Sequence, residues 1–420
     1  MNPYLIAVLA ALIADFALGA LADWLNVRNL RFDLPEEFQG FYDPAGYVRS
    51  QEYLRDKTRF SLAADSGETA LLLAAILSGA FGWADSLARF AGQGEILSGL
   101  AFAGLLLLAW DLLRIPLSAY DTFVLEERYG FNKTSPRTFV LDILKAWLLA
   151  AVLGGPIFAG AIWFFEHLGA RAWLYCWAAL AAVQLVLAFA APALIMPLFN
   201  KFTPLPEGAL KDALEAYARS QGFRMKGIFV MDGSRRSGKS NAFFAGFGRL
   251  RRLVLLDTLL AKHTVPELVA VTAHELGHCR QGHVIKSVLL SLAAAGLELF
   301  LLSFFIRSQA LAQAFGLAEV RVYAGLIFFG LLFAPISLVL SIGSHALSRR
   351  WEFAADAFAR RTADGEALAA ALKKLSVDNL SNLTPHPLKV LLDYGHPPIL
   401  ERLAALRPAL TNPGASPKLL

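Results

Sequence analysis

Seven apolar stretches, near 3–22, 68–90, 96–118, 146–168, 171–198, 284–306 and 321–346, limit what this chain can fold into. Each is about long enough to cross the hydrocarbon core of a bilayer, which takes roughly 20 helical residues. Composition agrees: over 420 residues, 56% are hydrophobic and only 17% charged, with a mean hydropathy of +0.50. Soluble domains carry about 25% charged residues. The fold class that follows is mainly α and integral to a membrane, with lipid as an obligatory partner. Ala20-Leu21-Ala22 resembles a signal cleavage site, but no Lys or Arg precedes the first stretch and Asp15 interrupts it. We therefore expect a retained helix.

Charge sets an orientation. The segment 23–67 carries Arg28, Arg31, Arg49, Arg55, Lys57 and Arg59, and the loop near 119–145 carries Arg128, Lys133, Arg137 and Lys145. The segment 199–283 and the tail after 347 are also basic, whereas the loops near 91–95, 169–170 and 307–320 are short and nearly free of Lys and Arg. Cytoplasmic loops carry the positive excess. This places the N-terminus outside and the C-terminus in the cytoplasm. The net charge of +5 is modest, and no nucleic-acid partner is expected. Asp15, Asp85, Asp111 and Glu298 fall in apolar segments. Acids there usually face a bundle interior or a water-filled cavity; Asp85, near a helix end, can instead reach water. Two cysteines, Cys176 and Cys279, make neither a disulfide framework nor a Cys-type metal cluster. The tail 409–420, with Pro413, Gly414 and Pro417, reads as disordered.

The chemistry-bearing motif is His274-Glu275-Leu276-Gly277-His278. Thr264-Val265-Pro266-Glu267 reads as a capping box with proline in the first turn, so a helix begins near 265. His274 and His278 then stand one turn apart on one face and can bind one Zn2+ together. Glu275 points toward the open coordination position and can take a proton from bound water. A catalytic zinc needs a third protein ligand. The best candidate is Glu352 in Trp351-Glu352-Phe353-Ala354-Ala355-Asp356, on the expected continuation of the last apolar helix. Asp356, one turn on, can orient a metal-bound imidazole. The plainer alternative is a surface Glu–Arg face, since Arg349, Arg350 and Arg360 lie nearby.

These motifs resemble the Ste24/CAAX prenyl protease type I family of membrane zinc metalloproteases. The likeness continues through Glu127-Arg128-Tyr129-Gly130-Phe131-Asn132-Lys133, Pro197-Leu198-Phe199-Asn200-Lys201-Phe202, Ser240-Asn241-Ala242-Phe243-Phe244-Ala245-Gly246 and Gly395-His396-Pro397-Pro398. The resemblance implies seven helices around a large hydrated chamber, with a zinc domain closing the cytoplasmic end. It implies one zinc per chain on His274, His278 and Glu352, with Glu275 as base. It also implies that His396 steadies the substrate carbonyl or developing oxyanion, and that the strand starting at Asn241, with Ala242 and Phe243, aligns the substrate backbone. One position departs: His345 stands where the family usually has Asn.

A second motif competes. Gly233-Ser234-Arg235-Arg236-Ser237-Gly238-Lys239-Ser240 matches the phosphate-binding loop pattern, and Leu253-Val254-Leu255-Leu256-Asp257 resembles its acidic strand. Such a loop must open a helix. Here Asn241–Gly248 is aromatic and broken by glycines, which reads as a strand and a turn over Gly246–Gly248. A β-hairpin explains the segment better, and no nucleotide is expected.

Four regions follow. Residues 1–198 form a membrane region of five helices; 199–283 form the zinc-site domain with its hairpin; 284–346 form helices six and seven; 347–420 form a C-terminal part with Glu352 and His396. The expected function is a membrane-embedded zinc endopeptidase acting on peptide or protein substrates, including lipidated C-terminal Cys-a-a-X chains, or clearing faulty membrane proteins. The Ala/Leu-rich composition points to a bacterial inner membrane. The rivals are a smaller heat-shock-type membrane metalloprotease, disfavoured by seven spans, and a transporter or scaffold with an inert zinc site.

Overall fold

The computed structural model describes residues 2–91, 94–246 and 251–407. Seven helices in it are long and apolar enough to cross a membrane: α1 (Pro3–Arg28), α2 (Pro44–Leu77), α4 (Glu95–Glu126), α5 (Pro136–His167), α6 (Gly169–Phe199), α9 (His283–Phe305) and α10 (Val322–Thr362). Between them lie α3 (Ala80–Ala91), α7 (Ala209–Ser220) and α8 (Val265–Arg280). Three more follow α10: α11 (Gly365–Asp378), α12 (Pro387–Asp393) and α13 (Ile399–Leu406). Of the expected tail over 409–420, and of the turn beyond Gly246, everything lies outside the described residues.

The span boundaries differ from the hydropathy reading where helices continue as charged surface. The stretch expected at 68–90 is two elements. α2 starts at Pro44, where the Asp43 side chain caps the Gly46 N–H, and ends before Gly79. Gly79 takes a left-handed φ of +75° that lets α3 turn away. α5 starts at Pro136 behind the Ser135 cap, ten residues before its apolar part. Caps start helices whatever the polarity of the turns that follow.

The bundle is packed at its ends and open in its middle. α1 buries Val8 and then nothing until Ala22. α2 buries nothing between Tyr53 and Ile76. α9 buries His283, Leu299 and Leu302 only, and α10 nothing between Phe333 and Glu352. Far from the His motif the spans converge on one apolar plug that includes Val8, Ile76, Phe102, Ile162, Phe315 and Phe328. Phe315 and Phe328 stack there with centroids 3.9 Å apart. Away from the plug the spans bury few side chains. A cavity of about 440 Å³ against α2, α4 and α5 is lined by Lys57, Glu68, Asp111 and Arg114. Asp111 accepts the Trp147 indole N–H at 2.9 Å, and Arg114 pairs with Glu68 at 3.0 Å. Asp85 does not reach water through its helix end. It is 5% exposed in the plug, where it accepts the Tyr323 hydroxyl at 2.5 Å and pairs with Arg89 at 3.0 Å.

The other end is closed by a small mixed sheet of β1 (Phe202–Pro204), β2 (Gly227–Met231), β3 (Ala242–Ala245) and β4 (Arg252–Leu256), in the order β1-β2-β4-β3. β3 and β4 are the expected antiparallel pair, with Ala242 opposite Leu255. β2 and β4 run parallel, as in a nucleotide-binding fold, but their connection is the edge strand β3. No helix starts at Ser240. The phosphate-loop lookalike is a clamp on the membrane region instead. Lys239 reaches the Tyr53 hydroxyl at 3.0 Å and Glu126 at 3.2 Å, lying over the Phe131 ring at 4.5 Å. Arg236 grips Asp142 at 2.8 Å, and Gly238 N–H donates to the Phe131 carbonyl at 2.9 Å.

The plug depends on backbone approach that only glycine allows. A Cβ at Gly325 would lie 2.6 Å from the Ile306 carbonyl oxygen, and one at Gly82 2.3 Å from the Gly316 carbonyl oxygen. Gly325→Val is expected to destabilise the detergent-solubilised protein by about 1–3 kcal/mol, read as an earlier thermal unfolding. Gly330→Ala, where nothing lies within 4 Å, should leave it unchanged.

Candidate metal centre

α8 forms where its cap predicts. The Thr264 backbone N–H donates to Glu267 Oε2 at 2.8 Å, completing the capping box, and Lys374 holds the same carboxylate at 2.7 Å. Leu268, Val271 and Leu276 bury one side of the helix in the sheet and the packed helices. His274 and His278 then present their Nε2 atoms 3.1 Å apart.

α10 supplies the third side chain. It runs unbroken from the membrane to Thr362 and carries Glu352 and Asp356 one turn apart, both buried. The crossing is tight because of Gly277. A Cβ there would lie 3.0 Å from Ala355 Cα and 3.2 Å from its carbonyl oxygen. Glu352 Oε1 consequently lies 3.2 Å from His278 Nε2, and Oε2 lies 3.5 Å from His274 Nε2. The ligand atoms of His274, His278 and Glu352 lie within 4.8 Å of one another.

The donor set fits a cation. Two ring nitrogens and a carboxylate converge, and buried Glu352 Oε2 accepts no well-formed hydrogen bond among the described residues, with only the ion-pair approach of Arg402 Nη1 at 3.3 Å and His274 Nε2 at 3.5 Å. Two imidazoles and a carboxylate with an open position suit zinc. The other ring nitrogen of His274 is 2.8 Å from Asp356 Oδ1, the arrangement that orients a metal-binding imidazole. Burial disfavours charge on His274, but its hydrogen bonds to Asp356 and Glu352 outweigh this and lift its pKa to about 9. A bound cation has to displace that proton. Burial pushes the Glu275 carboxyl up, with Glu352 adding and His274, His278 and Arg402 opposing. A carboxyl raised in this way holds a proton more readily than a free one, as a group that takes and returns protons must.

Sequence reading missed Arg402. Its Nε and Nη2 donate to the two oxygens of Asp356 at 2.8 and 2.7 Å, and Nη1 lies 3.3 Å from Glu352 Oε2. Burial disfavours its charge, but Asp356 and Glu352 keep it fully protonated. A signal existed: Arg402 interrupts the apolar face of α13 formed by Ile399, Leu403 and Leu406. His283 takes a supporting place. It stacks on Trp351 at 5.0 Å, and its Nδ1 lies 3.0 Å from His278 Nδ1. His345 is 2.7 Å from the Leu392 carbonyl, tying α10 to α12. His396 lies at the mouth, 72% exposed, with Nε2 3.4 Å from Glu352 Oε1. Asn241 is exposed just before β3, Ala242 is buried, and Phe243 is half-buried on it.

Comparison with known proteins gives the family. Residues 23–201 match the CAAX prenyl protease N-terminal model with five membrane helices, and 204–409 match peptidase family M48. The chain belongs to the M48 peptidases of the CAAX prenyl protease type. The crystal structure of S. mikatae Ste24p superposes with a TM-score of 0.92 at 32% identity, over 97% of this chain and 99% of that one. The CAAX prenyl protease 1 homolog of Oryza sativa is 36% identical, covering 97% of this chain and 98% of its own. That of Homo sapiens is 34% identical, covering 89% and 88%. This protein is a multi-pass membrane metallopeptidase with peptide or protein substrates. These relatives are eukaryotic, so they lend no support to the bacterial membrane expected from composition.

Removing the guanidinium takes the two-pronged partner from buried Asp356 and leaves it the His274 ring alone. Arg402→Ala is expected to cost about 3–5 kcal/mol, read as lost thermal stability together with weaker metal retention. Arg402→Lys should not restore it, since an ammonium cannot make the two-pronged contact.

Proposed function

We propose that this protein is a zinc endopeptidase in which His274, His278 and Glu352 hold the ion and Glu275 moves the protons. The observation that carries this is the convergence of both Nε2 atoms on buried Glu352, with Glu275 on the same helix. A zinc ion there would polarise the scissile carbonyl and lower the pKa of its bound water to about 7. Glu275 takes a proton from the attacking water and returns it to the leaving amine. Asp356 and Arg402 fix the His274 ring, and His283 braces His278. Exposed His396 is free to meet a substrate carbonyl and its developing negative charge.

The substrate lies as an extended strand along β3. This strand is an edge of the sheet and packs against α8 through Phe244, so peptide pairing there runs beside the zinc helix. Asn241 opens that strand; Ala242 and Phe243 lie on it. The relatives' names carry the substrate reading: a chain ending in Cys-a-a-X, cleaved after lipid attachment, with the lipid in the membrane and the peptide in the chamber. The excess of Lys and Arg in the loops at the sheet end favours placing the zinc site and C-terminus in the cytoplasm.

Glu275→Gln keeps the shape of the side chain and removes the base. Peptide cleavage should fall by at least about 100-fold with bound zinc unchanged by elemental analysis. Turnover close to wild type in that variant sinks the mechanism. His278→Ala should lose zinc and activity together.

A further inference from the structure

The hydrogen-bond alternation along β3 shows which of its backbone groups face outward. Leu256 N–H donates to the Asn241 carbonyl at 3.1 Å. With Ala242 opposite Leu255, residues 241, 243 and 245 turn their N–H and C=O groups to β4. Residues 240, 242 and 244 turn theirs to the open edge. The Ala242 N–H is met by the Asn241 side chain at 2.8 Å. This leaves the Ala242 carbonyl and both Phe244 groups for an incoming strand.

Ser240 is different. Its N–H donates to Asn379 Oδ1 at 3.0 Å, and its carbonyl accepts from Asn379 Nδ2 at 3.2 Å. The Asn379 carboxamide thus imitates one peptide group of a neighbouring strand and fills the next pairing position along the same edge. Asp378 accepts the Ser240 hydroxyl at 3.1 Å and is itself paired with Lys262 at 3.1 Å. Ser240 is only 4% exposed, so the position is sealed. The chain turns sharply just after Asn379: Leu380 has a φ of +46°, a conformation a leucine holds only when its surroundings enforce it.

We propose that Asn379 is an end-stop for the substrate strand. A peptide pairing with Phe244 and Ala242 meets the Asn379 amide about 7 Å further on, two residues along, and cannot continue. An antiparallel substrate, the slightly more stable arrangement, meets the stop with its carboxyl-side residues. The stop therefore limits how many residues on the carboxyl side of a substrate can pair along this edge. Asn379 touches no reacting atom; it sets register and length. This rests on the strand-pairing reading above.

The test uses the full-length enzyme in detergent and peptides sharing one cleaved sequence, extended at the carboxyl end one residue at a time. In the wild type, kcat/KM should fall by at least about tenfold once the extension passes the stop, with cleavage position checked by mass spectrometry. Asn379→Ala should lift that cutoff by at least one residue with unchanged zinc content, while Asn379→Gln should keep it. No cutoff in the wild type, or the same cutoff in a zinc-loaded Asn379→Ala, overturns the end-stop; the wild-type series decides even if the variant does not fold. Scanning N-methyl groups along the peptide separates the two readings. If no methylated amide slows cleavage, strand pairing itself fails. If one does and the cutoff does not move, only the end-stop fails.

Discussion

The close crossing of α8 on α10 is the contact on which the rest depends. With hydrogen alone at the Gly277 α-carbon, the Ala355 backbone can approach that turn, and the carboxylate one turn earlier on α10 falls between two imidazoles. A Cβ there would lie 3.0 Å from Ala355 Cα and press the helices apart by a few tenths of an ångström, working against the 3.2–3.5 Å approach of Glu352 to the ring nitrogens. α10 is also a membrane span, so the position of the site is fixed directly by the bundle.

Around that crossing the buried charges are closed into one network. Asp356 and Glu352 are carboxylates away from water, a costly placement unless each is paired. Arg402 answers both, and His274 binds Asp356 from the other side. The guanidinium arrives from α13, late in the chain, so the C-terminal helices complete the centre as well as cover it. His396 comes on the same segment and lies exposed, where a peptide can reach it.

The architecture separates two demands. The apolar plug and the sheet domain supply packing, and the span middles between them bury almost nothing. Between them a cavity of about 440 Å³ lies against α2, α4 and α5. The strap at 233–240 joins the two parts through Lys239 and Arg236 and leads directly into β3, so the strand proposed to align substrate is anchored to the membrane helices beside it.

Hydropathy and spacing were enough to read seven spans, a capped metal helix and the Glu352–Asp356 turn, because each is written in local periodicity and chemistry. The helices begin at Pro44 and Pro136, upstream of the apolar stretches near 68–90 and 146–168, since a cap starts a helix however polar the following turns are. Arg402 was not visible because its role depends on a fold that returns α13 to α10. The phosphate-loop pattern could be set aside from the aromatic, glycine-broken residues that follow it, but its actual place could not be read: a motif of eight residues does not say what surrounds it, and here Lys239 finds Glu126, Tyr53 and Phe131. The sequence by itself determined that this chain spans a membrane and carries His274, His278 and Glu352 with spacings that could serve a metal ion, because composition and one-turn spacing are local. Only the tertiary structure decided that those residues meet, that the bundle is hollow, and that β3 ends against Asn379. Each of these depends on contacts between segments far apart in the chain.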